Sequence, residues 1–275
     1  NAATQLGGCI QGNPWLATGT ARIILNEVVS SNPSLLGGYI EVAGDRAQVI
    51  VANPAGVTCA GCGFLNAHRV TLTTGTPLLS NGALDGYRVE GGTVRIDGAG
   101  MDAARADATD LIARAVELNA GLWAQALRIT AGANRVDAAH TQAAPIAGGS
   151  PAPAFALDVA PLGGMYAHTI RLVGTEAGVG VRNAGTLAAA AGEVVVTAEG
   201  RLINRGTVVS GEAPLSVNTR GLDNRGTLSS EGNLTVASPE DILNTGLLHA
   251  GRELILATDG QLATTGTLDG QRLDL

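Results

Sequence analysis

The last hundred residues of the chain repeat, and the repeat limits what the whole can fold into. Val181-x-Asn183-x-Gly185-Thr186-Leu187 returns as Leu202-x-Asn204-x-Gly206-Thr207-Val208, Leu222-x-Asn224-x-Gly226-Thr227-Leu228, Ile242-x-Asn244-x-Gly246-Leu247-Leu248 and Leu262-x-Thr264-x-Gly266-Thr267-Leu268, with the glycines 21, 20, 20 and 20 residues apart. Within a unit the apolar residue, Asn, Gly and second apolar residue sit at even offsets, so one strand would send all four to the same face. A second strand follows, marked by Leu215/Val217, Leu234/Val236 and Leu254/Leu256. A period near twenty with β pattern describes a solenoid whose coils stack as parallel strands, no coil being able to bury its face alone. The prediction is all-β: a right-handed parallel β-helix with extra-helical loops or hairpins. Equivalent residues then lie about 4.8 Å apart up the axis, so Asn183, Asn204, Asn224 and Asn244 are expected to form a structural ladder of mutually satisfied amides. Leu273 and Leu275 read as inward positions with no polar cap after them, which predicts further coils in the natural protein.

The same coil is legible earlier in weaker form. The Ala-rich stretch 102–127 has helical propensity, yet Leu111-Ile112-Ala113-Arg114-Ala115 aligns with Leu202-Ile203-Asn204-Arg205-Gly206, and Leu127-Arg128-Ile129-Thr130 with Leu215-Ser216-Val217-Asn218. From about His140 to Pro161 the composition turns to Ala, Pro, Gly and Ser, expected for a loop or small excursion from the coil. The 39 glycines and 3% aromatic content suit many short strands and frequent turns. A formal charge of −7 and no Lys/Arg cluster exclude nucleic acid or an anionic membrane as the main partner. No apolar run approaches the roughly 18 residues of a membrane-spanning helix.

One block does not belong to the repeat. In Asn53-Pro54-Ala55-Gly56, Pro54 fixes its own φ and biases Asn53 away from the helical region, and Gly56 permits a positive φ, so the segment reads as a tight turn ending a strand over 47–52. Beyond it Val70, Leu72 and Thr74 alternate with Arg69, Thr71 and Thr73, the period of a strand with one buried face. Between these lies Cys59-Ala60-Gly61-Cys62. No β-α-β pattern supports a thioredoxin-like site, and His68 alone cannot complete a zinc site, which leaves a local disulfide as the expectation. Its short loop removes little unfolded-state entropy, so it should shape the turn more than stabilise the domain. Cys9 is left over, either a buried small hydrophobe or a free thiol. No metal or cofactor is expected.

The block 53–66 resembles Asn-Pro-Asn-Gly-Ile-Thr-Cys-x-Gly-Cys-Gly-Phe-Ile-Asn in the secretion domains of the filamentous haemagglutinin family, large Gram-negative exoproteins that use two-partner secretion. Ala3-Thr4-Gln5-Leu6-Gly7-Gly8, Ile10-Gln11-Gly12-Asn13-Pro14, 21–28, 110–114, 156–159 and 171–181 are similar to the family in the same order. The resemblance implies a secretion domain over 1 to about 200, entered after its N-terminal cap, and the start of a shaft over 201–275, continuous with it. It implies a secreted or surface-attached monomer that crosses the periplasm and is recognised there by the periplasmic domains of an outer-membrane transporter barrel, with receptors on host or neighbouring cells met by the rest of the protein. Asn13, Pro14, Leu16, Asn53, Pro54 and Gly56 are the secretion-motif residues it points to. Here Trp15 and Ala55 stand where the family has Asn. Adhesins, haemolysins and contact-dependent growth-inhibition toxins share the domain, the adhesin type being the first reading.

A polysaccharide-active enzyme is the rival class, since β-helices host such chemistry. It would need paired carboxylates. Asp97, Asp102, Asp107 and Asp110 do not fall at equivalent positions of adjacent coils and read as an acidic solvated loop. His68, His140, His168 and His249 lack a nucleophile to activate. Trp15, Trp123 and Tyr166 could stack on a ligand, but read as isolated packing residues. No catalytic residue is expected.

Overall fold

The computed structural model describes residues 2–14 and 19–275, and every element of three or more residues among them is a β-strand. The strands wind into a parallel β-helix. Its stacking is visible as columns of Cα partners that run the length of the molecule. One begins Ile24, Val49, Val70, Thr109, Leu127 and Ile170, and continues Val194, Leu215, Leu234, Leu254 and Leu273. A second runs through Val57, Val94, Val116, Leu157, Val181, Leu202, Leu222 and Ile242. A third runs through Cys62, Met101, Leu122, Met165, Leu187, Val208, Leu228 and Leu248. These columns converge on one continuous core. Burying each Val or Leu stabilises by about 1.5–3 kcal/mol, and each does so only when a neighbouring coil is in place.

The asparagines stand where the coil turns a corner. The repeat unit is therefore not one strand, as its even offsets suggest: Gly180–Asn183 ends at the Asn, and Thr186–Ala189 starts a new face. Each Asn Nδ2 donates to the Oδ1 of the Asn in the following coil, Asn183 to Asn204, Asn204 to Asn224 and Asn224 to Asn244, all at 2.8 Å. Asn244 then donates to Thr264 Oγ1 at 3.2 Å. All four asparagines are fully buried, so these bonds satisfy amides that water cannot reach. Beside them the glycines permit close backbone approach: a Cβ on Gly226 would lie 2.0 Å from the carbonyl oxygen of Gly206, and the same clash recurs at Gly185, Gly206, Gly246 and Gly266.

Four antiparallel strands lie outside the helix: Thr76–Ser80, Ala83–Val89, Asn134–Asp137 and Ala143–Pro145. Tyr87, Val89 and Val136 of this outer sheet pack on Ile50, Ala52 and Ile112, which face outward from the coils. This cover corrects the one-faced reading of the strand after the block. Thr71 and Thr73 are as buried as Val70 and Leu72, because a second layer lies over them. It also shows the 140–161 excursion to be part strand, and the chain is back in the coil by Phe155–Val159. The Ala-rich segment is coil, but the proposed alignment of Leu111 with Leu202 is wrong. Leu111 stacks on Ile129, Leu172 and Val196, whereas Val116 stands in the column of Leu202. The Leu127/Ile129 alignment with Leu215/Val217 agrees with the columns. Leu273 continues the inward column but is about half exposed, and Leu275 lies past the final strand.

Candidate functional site

The block 53–66 wraps one coil, and both of its terminal asparagines hold the coil before it. Asn53 follows the strand Ala47–Ala52. Its carbonyl accepts from Gly56 N at 3.0 Å, and its side-chain Oδ1 accepts from Ala55 N at 2.9 Å, closing the turn twice. The Nδ2 group donates to Asn32 O and Ser34 Oγ, both at 2.9 Å, so the fully buried Asn53 ties this turn to the preceding coil. Gly56 has φ of 127°, in the region that favours glycine. Asn66 adopts φ of 56° and donates to Val42 O at 2.8 Å and Gly44 O at 2.7 Å, repeating the arrangement at the other end. Asn tolerates this left-handed backbone better than most residues.

Between the two asparagines, within the strand Val57–Leu65, Cys59 and Cys62 are joined by a disulfide, their Cα atoms 5.3 Å apart and both side chains buried. Gly61, with φ of 84°, lets the chain turn inside the closed ring. Cys59 occupies the same inward column as the asparagine ladder, through Ile96, Leu118 and Val159 to Asn183. Cys9, by contrast, is an exposed thiol on the short hairpin of Ala2–Thr4 with Gly8–Ile10, not a buried hydrophobe.

Asn13 and Pro14 lie exposed in an irregular segment ahead of the strand Ile23–Glu27, while Leu16 and Trp15 lie outside the described residues. The structure brings Asn53, Pro54, Gly56 and the disulfide together.

The acidic residues do not form a solvated loop. Asp110 is fully buried under the outer sheet, with Arg69 at 2.7 Å, Arg128 at 3.1 Å and His140 at 3.0 Å. Burial by itself raises the Asp110 carboxyl, but His140 and Arg69 close beside it outweigh this and hold it below the ordinary carboxylate range. His140 lies between the third and fourth strands of the outer sheet, so the cluster fastens that sheet to three coils. A second fastening joins Arg114 to Glu176 at 2.7 Å and to Ser150 O at 2.6 Å. Asp97, Asp102 and Asp107 are engaged separately, by Asn119, Tyr39 and Arg46. Among the described residues no group of three or more His, Cys, Asp or Glu is placed to hold a metal ion.

The model for the TPS secretion domain matches residues 4–204, and that for the haemagglutinin repeat matches 208–271. The chain belongs to the TPS secretion domain family. Over 232 residues, 84% of its length, this secretion domain is 58% identical to Toxin CdiA of Yersinia pestis, spanning 7% of that protein. It is 46% identical over 91% of its length to the tRNA nuclease CdiA of Escherichia coli strain NC101, spanning 8% of it. Its fold matches the crystal structure of a filamentous haemagglutinin secretion domain with a TM-score of 0.74 and 31% identity, covering 93% of this chain and 81% of that one. The chain thus spans less than a tenth of the curated relatives it resembles.

Proposed function

We propose that this secretion domain carries a large exoprotein out of a Gram-negative cell by engaging a partner outer-membrane β-barrel transporter through its periplasmic domains, and that it templates the folding of the β-helix outside. The observation that carries this reading is the family match over 4–204, continuous in register with repeats that extend the same columns. In a solenoid each coil is stabilised by its neighbour, so a formed coil lowers the cost of ordering the next one to emerge. The Asn53 and Asn66 clamps fit the first of these steps, because they close one coil upon another before the regular ladder exists.

The relatives favour contact-dependent inhibition over adhesion as the destination of the whole exoprotein, since CdiA proteins are 58% and 46% identical and the haemagglutinin domain 31%. We place the nuclease activity in the name of one relative outside the span matched here, which is 8% of that protein. Export tests the proposal. With Asn53 and Pro54 both replaced by Ala and the cognate barrel co-expressed, the domain should accumulate in the periplasm; unchanged export would sink the role given to the turn.

A further inference from the structure

Three aromatic side chains stand in one outward column and keep much of their surface in solvent. The column runs Tyr39, Gly63, Asp102, Trp123 and Tyr166, one residue per coil. Tyr39, Trp123 and Tyr166 are 48%, 44% and 41% exposed. Trp123 and Tyr166, read from the sequence as isolated, lie with ring centroids 6.0 Å apart and planes 18° from parallel.

Each ring rests on glycine. A Cβ added to Gly63 would meet three consecutive ring atoms of Tyr39 at 2.3–2.7 Å, and one added to Gly121 would meet three of Trp123 at 2.6–3.2 Å. Near-equal distances to adjacent ring atoms mean that a face, not an edge, lies over the glycine. Gly164 holds Tyr166 in the same way. With one face on the backbone, the opposite face is turned to solvent. Between Tyr39 and Trp123 opens a groove of about 480 Å³ whose remaining lining is small, apart from Asp102. The Asp102 carboxylate accepts from Tyr39 Oη at 3.0 Å and from Ala104 N at 3.2 Å, leaving acceptor capacity toward the groove.

We propose that this strip is a carbohydrate-binding site for an uncharged, β-linked pyranose chain laid along the helix axis. The faces of aromatic rings are negative and attract the weakly positive C–H groups of a pyranose. The carboxylate accepts hydroxyl protons that such a chain supplies in abundance. From Tyr39 to Tyr166 is four coil steps, about 19 Å at about 4.8 Å each, enough for several sugars in line. A polyanion is disfavoured by Asp102 and by the chain's charge of −7. A protein partner would be expected to bury its anchors in pockets, and these rings lie flat on an open surface. The site is separate from the 53–56 turn and does not depend on the export role.

The test titrates the chain, with Trp15→Phe so that Trp123 alone reports, with cellohexaose, chitohexaose and laminarihexaose, following emission and heat. A saturable change with at least one is expected, weakened about tenfold in Trp123→Ala (followed by heat) or Tyr166→Ala, the loss of roughly 1.4 kcal/mol of binding. Circular dichroism melts unchanged in both variants show that the fold survives. No saturable signal at about 10 mM of any of the three, unaltered affinity in both variants, or tighter binding of heparin would overturn the proposal. So would a Trp123→Ala/Tyr166→Ala chain that binds sugar normally but is no longer exported, which would give the strip to the transporter.

Discussion

Removing one asparagine from the middle of the ladder and then its neighbour should reveal a coupling whose size follows from counting stranded groups. In Asn224→Ala, the Nδ2 of Asn204 loses its 2.8 Å acceptor while keeping Thr227 O at 3.1 Å, and the Oδ1 of Asn244 loses its 2.8 Å donor. Two buried groups each lose their shortest partner, at about 1–3 kcal/mol each. The Asn204→Ala change likewise takes the 2.8 Å partner from Asn183 Nδ2, which keeps only Gly185 O and Thr207 O at 3.4 Å, and from Asn224 Oδ1. The double variant takes the shortest partner only from the outer pair, Asn183 Nδ2 and Asn244 Oδ1. Each single substitution should therefore cost about 3 kcal/mol and the double about 3–4, well short of the sum, a coupling of roughly 2–3 kcal/mol. Because solenoids need not unfold in one step, the assay is native-state hydrogen exchange of amides in Thr207–Ser210, Thr227–Ser230 and Leu247–Thr258, beside guanidinium unfolding by circular dichroism. Additive losses, with the double costing about 6 kcal/mol, would refute the claim that the ladder is a chain of mutual satisfaction.

Gly226→Ala places a methyl group against the Gly206 carbonyl and should cost about 1–3 kcal/mol or more by overpacking, a loss visible as a lower guanidinium midpoint; an unchanged midpoint would show that the backbone can yield. Asp110→Asn should cost about 2 kcal/mol at pH 7, below the 3–5 of a wholly buried pair because Arg69 and Arg128 keep some access to water. Since the folded Asp110 carboxyl lies below its unfolded value of about 3.9, its contribution is present above that pH and lost as pH falls through the folded pKa, so denaturation curves of the two proteins should separate at pH 7 and converge in strong acid. Cys59→Ala/Cys62→Ala should lower stability by no more than about 2 kcal/mol, the loop being short, and a larger fall in thermal melting would show that the clip supports the whole domain.

The shaft was legible because its repeat is nearly perfect: once Leu215/Val217 and Leu234/Val236 are seen nineteen residues apart, their stacking follows. The Asn corner was misread as mid-strand because even offsets record only which side a residue faces, and a corner residue can also point inward. The outer sheet left no such signal. Its strands pair across loops and an intervening stretch of coil, from Val89 to Asn134, and nothing local in Thr71 or Thr73 announces a second layer above them. The Asp110 cluster was hidden for the same reason, although part of it could have been found, since Asp110 and Arg128 are direct partners in adjacent coils. The aromatic strip needed the register too: Trp123 and Tyr166 stand 43 residues apart in sequence but side by side in space.

Every amide in the ladder points its proton the same way, from Asn183 toward Thr264. A stack built in that sense is polar, like a filament with unlike ends. At any moment of its growth the newest coil exposes a hydrogen-bond donor with no acceptor, and the next stretch of chain brings the carbonyl that quenches it. The opposite end is closed, since Asn183 Oδ1 accepts from Gly185 N in its own coil and Val159 of the preceding coil stacks upon Asn183. Assembly therefore has a chemical arrow, and a coil added at the wrong end would meet a different valence.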